Sequence, residues 1–155
     1  EIGYHGYTHD PMKTMSRRQI AQELMDTQAL LPQGCRPAFL RPPGGFSSDP
    51  VVEVAEARGL PILKWSVDPR DWATQDTGAI ETFVLEKIRD GDIVLLHDMS
   101  ESSVNAALDI VDQLLEEDFE FVTVSELVRI RQAKLVPGRE YTAFPPDTDT
   151  VGAGH

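Results

Sequence analysis

Four short clusters carry residue types that can do chemistry: His5-Gly6-Tyr7-Thr8-His9, Arg41-Pro42-Pro43-Gly44-Gly45, Asp68-Pro69-Arg70-Asp71-Trp72 and Leu95-Leu96-His97-Asp98. Gly6 and Pro11 oppose a helix around the first cluster, so His5 and His9 belong to a loop. Such a loop can offer two neutral imidazoles to one divalent ion, a donor type that zinc accepts well, or it can be a plain surface turn. In the second cluster two prolines stiffen the chain and two glycines let another group approach the backbone. The N–H of Gly44 could donate to a developing oxyanion. The plainer alternative is a tight strand-to-helix connection with a surface arginine. In the third, a carboxylate at a strand end can orient a histidine and raise its basicity, and Trp72 could wall a sugar site. An Asp-Pro turn with a half-buried tryptophan is the other reading. His97 either sits as a satisfied residue at the edge of the core or, with Asp71 beside it, acts as a general acid for an amine leaving group. The remaining histidine, His155, is terminal and reads as inert.

Short apolar runs alternate with amphipathic stretches, the pattern of an α/β fold with a largely parallel sheet or barrel. Ser16-Arg17-Arg18-Gln19 reads as a capping box. The helix after it carries Ile20, Leu24 and Leu31 inward and stops at Pro32. Phe39-Leu40 is a short buried strand. Asp49-Pro50 opens a helix with Val51, Val54 and Ala55 inward and Gly59 as its stop. Pro61 to Val67 reads as a strand delivering Asp68. Asp76 or Thr77 starts a helix with Ile80, Phe83, Val84 and Ile88 on one face. Ile93 to Leu96 is an unbroken apolar run, the mark of a strand buried on both sides, and it delivers His97. Ser102 or Ser103 caps a long helix with Val104, Ala107, Leu108, Val111, Leu114 and Leu115 inward. Phe119 to Val124 reads as a last strand and Ser125 as the cap of a final helix ending near Ala133. From Phe144 to His155 the composition suits an extended or disordered tail. The candidate residues follow strand ends, and in parallel α/β architectures those ends share the face that holds the active site.

Length and composition fit one soluble globular domain of 155 residues, 41% hydrophobic. A formal net charge of −12, with Lys and Arg scattered, argues against nucleic acid or an anionic membrane as partner. No apolar run has the length of a membrane span. The single cysteine, Cys35, excludes an intrachain disulfide and disfavours a thiolate zinc site.

The order and spacing of the four clusters, with Glu1-Ile2-Gly3-Tyr4 ahead of the first and Phe121-Val-Thr-Val-Ser125 with Pro137-Gly138 near the end, resemble the polysaccharide deacetylase family, carbohydrate esterase family four. The ending resembles the family's peptidoglycan branch. The resemblance spans residues 1 to about 141, expected to be the catalytic domain, with 142–155 as the tail. It implies a distorted (β/α) barrel, incomplete at its N-terminus, and hydrolysis of N-acetyl groups on N-acetylglucosamine units of peptidoglycan or chitin-type polysaccharide. By position, it implies that His5 and His9 ligate a divalent metal, zinc or else cobalt. Arg41 orients the base carboxylate, the Gly44 amide is the oxyanion donor, Asp71 tunes His97, Trp72 walls the groove, Leu95 meets the acetyl methyl, and His97 is the general acid. An extracellular or cell-envelope location follows from the same resemblance.

Departures accompany it. The family's first motif, with its paired aspartates, has no counterpart in the sequence, so the domain is expected to be N-terminally truncated, with the upstream segment as a partner. Gly6 replaces a side chain that usually braces the metal loop, Tyr4 stands where Asn or Ser is frequent, and Gly44 stands where Tyr is common. These changes leave room for a catalytically inactive, carbohydrate-binding version, or for a family member acting on acetyl xylan or another amide.

Overall fold

The computed structural model describes residues 1–146. Its contacts gather into two compact units, one of Glu1–Lys64 with Gln132–Tyr141, the other of Trp65–Arg131 with residues 142–146.

In the first unit, Ser16 caps helix α1, Arg17–Leu30, through the expected box: its hydroxyl accepts from Gln19 N–H while the Gln19 side chain takes the Ser16 N–H. Such caps are worth about 1 kcal/mol each. Pro50 fits the first turn of α2, Asp49–Ala57, where no N–H is needed. Ile20 and Leu24 of α1 and Val51, Val54 and Ala55 of α2 meet Leu40 and Ile62 in one core. Each buried Ile, Leu or Val side chain among them contributes roughly 1.5–3 kcal/mol. Parallel pairing runs from Tyr4 to Leu40 to Ile62, and β1, Ile62–Leu63, pairs in parallel with β2, Glu140–Tyr141. No sequence pattern points to β2: two polar-flanked residues after Pro137-Gly138 carry no periodicity of their own, and only pairing with β1 makes them a strand. The run from Pro61 to Val67 is a strand only at β1 and at a single bridge from Val67.

In the second unit, Asp76 caps α3, Thr77–Lys87, and Ser100 caps α4, Glu101–Glu116. The α4 cap lies two residues before the earliest position expected. Its buried face is Ser103, Ala106, Ile110 and Leu114. Of the six residues expected inward only Leu114 is fully buried, and Val104, Leu108 and Leu115 are exposed. The face is turned by about one residue because Ser103, a polar residue that a hydrophobic pattern ignores, is buried. Phe83 of α3 is likewise exposed, while Ile80 and Val84 are buried. Val67 pairs in parallel with Val94, and Leu95 N–H donates to Val67 O. Ile93 and Leu95 are buried while Val94 and Leu96 are only partly so, and the run forms a single bridge rather than a strand covered on both sides.

Two further expectations are corrected. Phe119 to Val124 is not a strand: Phe121 and Val122 are exposed, and no neighbouring segment offers a ladder among the described residues. The final helix, α5, is Val124–Ile130, capped by Thr123 in a box with Glu126 rather than by Ser125. The start of the expected tail is anchored: Phe144 is buried and donates its N–H to Gly91 O. The rest of that tail, residues 147–155, lies outside the described residues. The α/β class therefore holds, while paired positions among the described residues amount to one short parallel ladder and isolated bridges rather than a closed barrel.

Candidate functional site

The first unit holds His5, His9, Arg41 and Gly44. Tyr4 is buried and bridged to Leu40, and its hydroxyl donates to the Gln28 side chain, so the residue before His5 is fixed by the core. Gly6 then turns with φ 87° and His9 takes the left-handed φ of 64°. A non-glycine residue there costs on the order of 1 kcal/mol and persists only where the surroundings impose it. The two imidazoles come together, ring centroids 5.0 Å apart and planes at 70°.

The surroundings that impose this loop centre on Glu23 of α1, which sequence reasoning missed. One carboxylate oxygen accepts from Tyr7 N–H at 2.7 Å and Thr8 N–H at 2.8 Å, and the other accepts from the Thr8 hydroxyl at 3.1 Å. Burial pushes the Glu23 pKa up, but these bonds outweigh it and hold it below the ordinary carboxylate value. The loop brace expected to be lost with Gly6 thus comes from another residue. A Cβ at Gly6 would lie 3.0 Å from Met12 Cε and 3.3 Å from Glu23 Oε2, so glycine is what lets this carboxylate reach the loop. The available signal was a charged residue one turn after the core residue Ile20 and next to the core residue Leu24.

His5 Nδ1 lies 2.6 Å from Arg41 O. A carbonyl only accepts, so Nδ1 carries the proton and the lone pair falls on Nε2. That is the tautomer and outer-shell support typical of a metal-ligating imidazole. The donor set therefore fits a divalent ion as two of its ligands. Among the described residues, no third His, Cys, Asp or Glu joins them. Arg41 donates from Nη2 to Lys64 O at 3.4 Å, and burial lowers its pKa, although a guanidinium remains charged. Gly44 is exposed with φ 68° in the turn Pro43–Gly45, which closes with Gly45 N–H on Pro42 O at 2.9 Å.

The second unit holds Asp71, Trp72, Leu95 and His97, and it joins two of them closely. Asp71 is 2% exposed. Its Oδ2 accepts His97 N–H at 2.6 Å, and its Oδ1 lies 2.8 Å from His97 Nδ1. Burial raises the Asp71 pKa, but the His97 ring, the His97 N–H and the Ser103 hydroxyl together hold it below the ordinary value. The carboxylate is thus ionised and fixes His97 with Nδ1 protonated. The imidazole retains 30% side-chain exposure, so its far edge can reach a solute. Asp68 turns inward on the chain instead, with Oδ1 accepting Arg70 N–H at 2.8 Å. Trp72 is 59% exposed, with the Arg70 guanidinium 5.2 Å from its ring centroid. Leu95 is buried. Ser103, expected from sequence only as a possible helix cap, is the buried hydroxyl beneath the pair.

The model of the polysaccharide deacetylase family matches residues 1–63. A peptidoglycan N-acetylglucosamine deacetylase of Listeria monocytogenes is 34% identical over 143 residues, 91% of this chain and 29% of that protein. Among solved structures, a family 4 acetyl xylan esterase of Clostridium thermocellum, determined with a cobalt ion, superposes with TM-score 0.83 at 30% identity, covering 94% of this chain and 73% of that one. A family-four pseudoenzyme of Bacillus anthracis superposes with TM-score 0.75 at 27% identity, covering 91% of this chain and 50% of that one. The chain thus spans under a third of the length of the Listeria relative. With the family model matched over residues 1–63 and the Clostridium structure, 30% identical, covered over 73% of its own length, the chain belongs to the polysaccharide deacetylase family.

Proposed function

We propose that this chain is the catalytic region of a metal-dependent deacetylase that removes N-acetyl groups from N-acetylglucosamine units of peptidoglycan or a chitin-type polysaccharide. The observation that carries the reading is the buried Asp71 carboxylate holding His97 by both its backbone and its ring. Amide hydrolysis fails unless the departing amine is protonated, and a histidine locked in one tautomer with an exposed edge is suited to deliver that proton. His5 and His9 are the residues that would hold the metal, with zinc the first choice and cobalt the alternative. When bound, that ion supplies Lewis acidity toward the acetyl carbonyl and lowers the pKa of water. In this reading the Gly44 N–H donates to the carbonyl oxygen as negative charge develops there. Arg41 contributes fixed positive charge, and its carbonyl fixes the His5 tautomer. Trp72 offers an exposed ring for the apolar face of a pyranose, and Leu95 an apolar contact for the acetyl methyl.

The same reading takes residues 1–141 as the catalytic domain of a distorted (β/α) barrel. The name of the Listeria relative supports a glycan of the cell envelope as substrate, and hence a location outside the cytoplasmic membrane. No helix among the described residues is long and apolar enough to cross a membrane. Acetate release by the full-length protein from peptidoglycan, N-acetylglucosamine oligomers and acetyl xylan tests the reading. Release from the first two supports it, release from xylan alone moves the substrate class, and no release from any overturns it. A second reading, a glycan-binding protein without activity, is favoured by the likeness to the Bacillus anthracis pseudoenzyme. It expects glycan binding with no acetate.

A further inference from the structure

One exposed aromatic residue in the first unit has no role in the account above. Phe46 follows the Pro43–Gly45 turn directly and is 58% exposed. The Lys13 ammonium lies over the ring, 4.2 Å from its centroid. The Lys13 backbone is anchored, because it belongs to the 3-10 turn Met12–Thr14 and Met12 is fully buried in the core.

The ring also fills a particular space. A Cβ built on Gly44 would touch Phe46 Cδ2 at 3.4 Å and Cε2 at 3.6 Å. The edge of Phe46 therefore lies beside position 44, at ordinary van der Waals distance from where a side chain there would begin. The histidine loop and the arginine loop are packed together at this point as well. A Cβ at Gly6 would meet Met12 at 3.0 Å and Pro43 at 3.7 Å, so Met12 and Pro43 both close on the turn between the imidazoles. Lys13 directly follows Met12, and Phe46 comes three residues after Pro43. Together they form a cation-backed aromatic surface beside Gly44.

We propose that Phe46, held by Lys13, is a sugar-stacking platform of this site, taking the apolar C–H face of a pyranose in an N-acetylated glycan. An ammonium on one face of an aromatic ring is attracted by the ring quadrupole and fixes its orientation. The ring edge rests toward Gly44, and the exposed remainder is left for a flat apolar partner. An aromatic ring is an amphipathic, low-entropy binding surface, and a hexose ring presents the matching apolar patch. The platform gives this chain an aromatic wall where glycine at position 44 provides none. It adds a substrate-binding residue to the proposed deacetylase and rests on that reading.

The test uses the full-length protein with N-acetylglucosamine tetramer as probe, comparing wild type with Phe46→Ala, Phe46→Trp and Lys13→Gln. Binding is read by calorimetry and turnover by acetate release. Phe46→Ala is expected to weaken binding about tenfold, ~1.4 kcal/mol, and to raise KM with little change in kcat. Phe46→Trp is expected to restore both, and Lys13→Gln to lie between. Zinc affinity, read separately, stays at the wild-type value in all three, which separates the platform from a collapsed metal loop. Tetramer binding and KM in Phe46→Ala equal to wild type overturn the platform while leaving the deacetylase reading intact. Wild type that binds the tetramer through Phe46 but releases no acetate overturns the activity and keeps the platform. Wild type that neither binds nor releases overturns both.

Discussion

Replacing Asp71 by asparagine exchanges one oxygen for an NH2 group and keeps the shape, and the structure dictates what must follow. The His97 backbone N–H is a permanent donor, so the oxygen of the introduced amide has to stay against it at the position Oδ2 now holds, 2.6 Å away. The NH2 then faces His97 Nδ1, which lies 2.8 Å from the other oxygen. Two donors cannot share that contact, so the ring proton moves to Nε2. The far edge of the imidazole then carries its proton as a weak neutral acid, and the ring loses its carboxylate partner. The expected cost in kcat is on the order of 10²–10⁴. Two charge-assisted bonds become neutral ones at about 1 kcal/mol each, so unfolding free energy falls by ~2 kcal/mol, with a Tm lower by roughly 4–8 °C. Acetate release measures the first, thermal unfolding the second, and nitrogen NMR of the His97 ring reads the tautomer directly. An Asp71→Asn variant with a rate within twofold of wild type and an inverted tautomer would refute the proton-donor role. The pH dependence has a definite sign. Because the folded Asp71 pKa is lowered, its contribution is complete above the unfolded value of about 3.9 and is lost as pH falls through the folded value. The extra stability of wild type over Asp71→Asn should therefore persist through weakly acidic pH and vanish only below that range.

Further outcomes follow from the same geometry. Glu23→Ala leaves the Tyr7 and Thr8 N–H groups without their acceptor, and should cost about 2 kcal/mol and weaken zinc binding at least about tenfold by titration. Glu23→Gln can keep both N–H bonds and should lie much nearer wild type; equal losses in the two variants would contradict the brace. Gly91→Ala places a Cβ 2.1 Å from Phe144 O, a distance no side chain tolerates. It should release Phe144 from Gly91, seen as faster proteolysis after Tyr141 and a lower Tm, and an unchanged digestion pattern would refute the anchoring.

Much of this was legible in the sequence, and the failures share a cause. Local signals read correctly: the Ser16–Gln19 box, the Pro50 start of α2 and the Asp76 cap each depend on residues within one turn. The fourfold cluster pattern led to the family and drew attention to His5, His9, Asp71 and His97, which the structure arranges as two close pairs. What was missed depends on partners distant in sequence. Ser103 is buried because Asp71 needs a donor beneath it, and that hydroxyl turned α4 away from the face its apolar residues suggested. Glu23 is buried because the histidine loop needs an acceptor. β2 exists because β1 offers an edge at Ile62, while Phe119 to Val124, with a stronger β pattern, has no such edge among the described residues.

Metal dependence of acetate release is the most direct test of the central claim, measured on full-length wild type, His5→Ala and His9→Ala with N-acetylglucosamine oligomers. The account predicts that chelation abolishes release by wild type, that zinc or cobalt restores it, and that both variants fail to recover at metal concentrations saturating for wild type. Undiminished release after chelation, or full recovery in either variant, would contradict it.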